Sequence, residues 1–151
     1  MRFDNSIIRF DMPDGWIADE SSDGNIFVTN AEEPSIWVSI ELGGVRKGDG
    51  PLSALDFATS TYQDKLTLPE SGLNTLKDGR VILHWREILI HEGEDYALAH
   101  AFIAKNQGPG DLQLIMLQSA APANAIATPL AQEAERFVTD TAQDVFFYPW
   151  R

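Results

Sequence analysis

Residues 75–119 set what this chain can fold into. Asp78-Gly79 is a two-residue hairpin signal between strand-like residues. Residues 81–90 read as a strand, Glu92-Gly93-Glu94-Asp95 as a polar turn, and 96–105 as the returning strand. Asn106-Gln107-Gly108-Pro109-Gly110 turns again, and 112–118 comes back. Strands joined by turns this short pair antiparallel, so the stretch predicts a four-stranded meander.

Side chains alternate along a strand. One face carries Leu83, Trp85, Glu87 and Leu89; the other carries Ile82, His84, Arg86, Ile88 and Ile90. A sheet wet on one side would alternate cleanly between apolar and polar, and this one does not, so both faces expect cover. A symmetric turn at 92–95 would set Trp85 opposite Phe102 and Glu87 opposite His100. The second face of the returning strand is small, with Ala97, Ala99 and Ala101 before Ile103. Such a strip lets another element approach the backbone closely.

The 151 residues fit one domain over 1–151, and 44% hydrophobic with 10% aromatic residues argue against disorder. Without cysteine there are no disulfides and no Cys-based zinc sites. The start, Met1-Arg2-Phe3-Asp4-Asn5, shows no apolar leader, and no apolar run nears the ~18 residues of a membrane helix. The expectation is a cytoplasmic protein without membrane insertion. A net charge of −12 repels nucleic acid and anionic membranes.

Along the rest of the chain, 6–12 reads as a short strand and Pro13-Asp14-Gly15 as a turn. Trp16-Ile17 begins a very short strand, a polar turn spans 19–25, and 26–29 and 36–42 are strands. Residues 43–51 read as a glycine-rich loop. Residues 52–66 predict a helix, with Leu52, Leu55, Thr59, Tyr62 and Leu66 at helical spacing and Pro51 in its first turn. Pro129 opens a second helix behind Thr128, whose stripe is Leu130, Ala134, Phe137, Val138, Thr141 and Val145. The tail Phe146-Phe147-Tyr148-Pro149-Trp150 is unusually aromatic. The order is four strands, helix, four strands, helix. With both sheet faces apolar, it predicts an α+β fold in which an antiparallel β-sheet is sandwiched between α-helices, an α/β/α arrangement.

Phe10-Asp11-Met12-Pro13-Asp14-Gly15-Trp16 resembles the opening strand and turn of the PsbP-like superfamily. That family includes photosystem extrinsic proteins, a Ran-binding nuclear import factor and Eag-type chaperones of type VI secretion effectors. Asp19, residues 83–86, Ala101-Phe102-Ile103 and Leu117-Gln118-Ser119-Ala120-Ala121-Pro122 are similar to further family stretches. The loop at 19–25 and the aromatic tail depart from its pattern. The resemblance implies a PsbP-like fold and protein binding rather than catalysis. The implied partner is a protein, such as an apolar helix of a secreted effector.

No motif demands a reaction. Glu87 with His100 reads as an acid–base pair or, preferably, as a satisfied polar pair within the sheet. Glu92, Glu94 and Asp95 read as a weak cation site or, preferably, a solvated turn. Gly43-Gly44 and Gly48-Asp49-Gly50 lack the Lys-Ser/Thr signature of a phosphate cradle. The expectation is no catalytic residue, no metal and no cofactor. Trp16 and Trp85 read as core, while Trp37 and Trp150 read equally as core or contact.

The leading functional expectation is a non-enzymatic protein-binding module, a chaperone or adaptor. Its partner-binding residues would be Ile88, Ile90, Ala97, Ala99, Ala101, Trp37 and Trp150. The helix at 52–66 would cover the alanine strip. Where it falls short, a groove bordered by Arg86 and His84 would take a partner helix or a second copy of the chain. The alternative is a small-molecule or lipid binder with a pocket between sheet and helix.

Overall fold

The computed structural model describes residues 1–46 and 53–150. Gly48-Asp49-Gly50 and the Pro51-Leu52 start of the first expected helix lie outside those residues. The elements are β1 (Arg2–Asp4), β2 (Ile8–Asp11), β3 (Trp16–Glu20), β4 (Ile26–Asn30), β5 (Trp37–Arg46), α1 (Ala54–Thr61), β6 (Gly72–Thr75), β7 (Val81–His91), β8 (Glu94–Gly108), β9 (Asp111–Pro122), α2 (Pro129–Asp144) and β10 (Phe146–Phe147). Seven strands form one antiparallel sheet in the order β3-β4-β5-β9-β8-β7-β6. A small second sheet has the order β1-β2-β10.

The expected α/β/α sandwich is corrected by this architecture. The ten strands among the described residues outweigh two α-helices of 8 and 16 residues. The fold is dominated by its sheet, and neither helix is long enough to make a layer over it. On the α1 side Ile17 and Phe27 stay 53% and 43% exposed. On the other side Ile88 and Ile90 stay exposed.

The meander forms as its turns dictate, with one change of register. Glu92 and Gly93 both take positive φ, 51° and 81°, as a two-residue hairpin turn requires. The turn therefore uses two residues rather than four, and β8 begins at Glu94. Every cross-strand partner moves by two places: Trp85 faces His100, Leu83 faces Phe102 and Glu87 faces Leu98. A shift of two keeps each side chain on its expected face. Trp85 is 3% exposed, stacked on His100 at 4.7 Å and beside Tyr62 at 5.2 Å.

The helix expected at 52–66 is shorter, and it lies on the other face. Ser53 caps α1, its side chain accepting from the Asp56 N–H at 3.0 Å. Thr59 and Ser60 turn their hydroxyls back onto helix carbonyls, which weakens propagation. The chain leaves the helix at Tyr62 and makes a 3₁₀ turn at Lys65–Thr67. Ala54 and Ala58 pack with Val81, Leu83, Trp85, Phe102, Ala104 and Leu112. The alanine-strip face belongs to α2, opened by Thr128 and Pro129. There Ala131, Ala134, Phe137 and Val138 join Ile82, Ala101, Ile103, Ile115 and Leu117 in the larger core, with Ile8, Phe10 and Phe147 of the small sheet.

The expected loop at 43–51 begins later, because β5 runs on through Gly43 and Gly44 to Arg46 opposite Asp111. Gly44 has a packing reason. A Cβ there would stand 3.0 Å from the Trp150 ring.

Candidate functional site

The floor of the site is the alanine strip and its roof is α2. Methyl groups at Ala97 and Ala99 leave space that α2 does not fill. The resulting groove has two lobes. The larger, about 790 Å³, lies among Arg86, Ile88, Ala97, Ala99, Ser119 and Ala121 of the sheet, Ile126, and Ala131, Glu135 and Thr139 of α2. The smaller, about 400 Å³, continues along Ile82, His84, Ala99, Ala101, Val138 and Ala142. Small-molecule sites typically measure roughly 300–1,000 Å³, and both lobes fall in that range.

Arg86, Ala99, Glu135 and Thr139 line both lobes. The Arg86 guanidinium reaches across to an ion pair with the Glu135 carboxylate, so one strut spans the groove. Arg86 is 61% exposed and Glu135 31%. A pair this wet contributes only about 0–1 kcal/mol, so opening it costs little. Arg136 is exposed beside the larger lobe.

The opposite face holds a polar network against α1. The Glu87 carboxylate accepts from Lys65 Nζ at 3.0 Å through Oε2 and meets His100 Nε2 at 2.9 Å through Oε1. Burial pushes the His100 imidazole below the ordinary histidine range, against the pull of Glu87. Burial works to raise Glu87, but the Lys65 hydrogen bond and the His100 charge outweigh it and hold the carboxyl below its usual range. Burial likewise raises the Tyr62 phenol, helped by Glu41. Among the described residues, no three His, Asp or Glu side chains are grouped to hold a metal ion.

A third depression, about 760 Å³, lies between β2 and α2. Two of its cations are engaged, Arg2 with Asp11 at 3.0 Å and Arg9 over Phe146 at 4.5 Å, while Arg136 lines it from α2.

The residues singled out from the sequence separate into three places. Ala97, Ala99 and Ile88 line the larger lobe, and Ala99 and Ala101 the smaller. Ile90 lies further out on the same face, 77% exposed. Trp37 is half-buried against Tyr96, 5.2 Å between rings, with His91 at 5.8 Å. Trp150 is half-buried at the far end of β5, under the Arg46 guanidinium at 4.1 Å. Sequence reasoning missed Glu135, Thr139 and Ile126. The first two flank the apolar stripe of α2, and their spacing was the available signal once α2 was assigned to this face.

No protein-family model and no curated protein matches the sequence. Among solved structures, the chain is similar to LpqN of Mycobacterium tuberculosis, described as involved in cell envelope biogenesis. The TM-score is 0.61 at 16% identity, over 94% of this chain and 83% of that one. A protein of Bacteroides thetaiotaomicron also gives 0.61 at 13% identity, over 97% of this chain and 47% of that one, so the chain spans about half its length. At these identities the likeness shows the fold alone. The human StarD13 lipid transfer and protein localization domain gives 0.30 at 10% identity, over 83% and 88%, which is too low to carry argument. No helix among the described residues is long and apolar enough to cross a membrane.

Proposed function

We propose that this chain is a binding module for elongated apolar molecules of the lipid class, held between α2 and the β7–β8 floor, with no reaction performed on them. The observation that carries this reading is the groove itself: two lobes on an alanine and isoleucine floor, joined across an ion pair of low cost. An apolar floor supplies the contact area, while polar side chains of the walls, among them Arg86, Gln132, Glu135 and Thr139, would fix orientation. The opening turn at Pro13-Asp14-Gly15, which delivers Trp16 to a 2.6 Å hydrogen bond with Glu133 of α2, is the feature we propose as shared with the PsbP-like superfamily.

The test is titration with N-phenyl-1-naphthylamine, followed by displacement with oleate. Saturable fluorescence enhancement is expected. Ala99→Trp, which fills the wall shared by both lobes, is expected to weaken it about tenfold, about 1.4 kcal/mol. An unaltered titration in a folded Ala99→Trp variant would remove the groove from the function.

A protein partner's apolar helix is the second reading, favoured by Ile88 and Ile90 at 66% and 77% exposure beside the groove. A secretion chaperone is one form of it. Copurification of a stoichiometric protein lost in Ile88→Glu, with no lipid bound, would favour it.

A further inference from the structure

β7 carries a long free edge. Val81 to Ile82, Leu83 and His84 pair with β6, and among the described residues no strand pairs with that edge beyond His84. On its other side β7 pairs with β8 out to His91 opposite Glu94. In an antiparallel ladder, alternate residues bond toward opposite neighbours. The two-residue turn makes His91 and Glu94 a bonded pair, so the odd-numbered residues bond toward β8. Arg86, Ile88 and Ile90 therefore turn their N–H and C=O groups outward. Natural edges are blunted by proline, inward charge or short length. This one instead presents Ile88, Leu89 and Ile90 in sequence, 66%, 52% and 77% exposed.

We propose that the β7 edge at 86–90 is a strand-addition site for an extended basic and apolar segment of another protein. Backbone pairing supplies the affinity and alternate side-chain positions the selectivity. Charge complementarity chooses the occupant. The rim is acidic, with Glu92, Glu94 and Asp95 exposed at the hairpin end. Of the nearby cations, Arg86 is paired with Glu135 and Lys65 with Glu87, while Arg136 stands on α2 beside the groove rather than at the hairpin end. A second copy is disfavoured because each chain carries −12.

The probe is a fluorescein-labelled alternating lysine–valine octapeptide, read by anisotropy against its glutamate–valine counterpart. Saturable binding of the basic peptide alone is expected. Ile90→Pro removes an outward N–H while leaving the β8 ladder intact, and is expected to weaken binding about tenfold. Ile90→Lys, which keeps the backbone donor, should weaken it through like charge and serves if the proline variant does not fold. Ile90→Pro should titrate N-phenyl-1-naphthylamine as the parent does, because Ile90 lines neither lobe, which separates this edge from the groove. Equal binding by Ile90→Pro would reduce the effect to charge alone and overturn the proposal. So would self-association of the parent that Ile90→Lys abolishes, which would make the occupant a second copy.

Discussion

His100 is the residue whose chemistry is most out of place. It is 7% exposed, stacked on Trp85 and paired with Glu87. Its folded pKa lies below that of the unfolded chain, so the unfolded chain takes up the proton first. Stability is full above about pH 6.5 and falls as pH drops from there toward the folded value. Glu87 is also depressed, so its contribution is present above about pH 4.3 and is lost as pH falls through its lower folded value. Both losses lie on the acid side, in successive windows. Urea denaturation between about pH 7.5 and 5 should show falling stability, and His100→Gln should flatten the upper part of that fall. An unchanged slope in the variant would assign the titration elsewhere. Trp85 was legible as core because an indole amid Leu83 and Val81 has apolar neighbours in any register that keeps its face. Its partner was not legible, since the partner depends on the turn.

At the element scale, one turn decides the register of the β7–β8 hairpin. Glu92-Gly93 and Glu92-Gly93-Glu94-Asp95 are equally polar, so hydrophobic pattern alone could not choose between a two-residue and a four-residue turn. Positive φ at two successive residues selects the shorter one. A Cβ at Gly93 would meet nothing within 4 Å, so Gly93→Ala is opposed by conformation alone. It should cost about 1–2 kcal/mol in denaturant unfolding. A neutral result would mean the turn relaxes without loss. The helices show a related limit. Their stripes announced them, as with Phe137 and Val138 in α2, but a stripe does not say which sheet face it seeks. The strip at Ala97, Ala99 and Ala101 was legible as a close-approach surface. That α2 rather than α1 roofs it depends on connections no local pattern records. The two-helix sandwich failed for a simpler reason: eight residues of α1, about 12 Å of helix, cannot cover a seven-stranded sheet.

At the scale of the whole molecule, the aromatic tail ties distant ends of the fold together. Phe146 and Phe147 pair with Arg9 and Ile8 as the third strand of the small sheet. The Tyr148 hydroxyl donates to Asp4 at 2.6 Å, and the Tyr148 N–H donates to Ile7 at 3.0 Å. Beyond them Trp150 lies on Gly44, at the end of β5. Phe147 is the most deeply placed of these, 4% exposed in the core that α2 shares with the sheet, with the Arg80 guanidinium 5.0 Å from its ring. It lines none of the walls of the groove under α2. Phe147→Ala should therefore cost about 3–5 kcal/mol of stability, as a large deletion in a packed core does. In the fraction that remains folded, affinity for N-phenyl-1-naphthylamine should match the parent, because the groove's lining is untouched. Urea denaturation and the dye titration, run on the same preparation, check both halves. Lost dye affinity at unchanged stability would place the tail in the binding surface instead of the core.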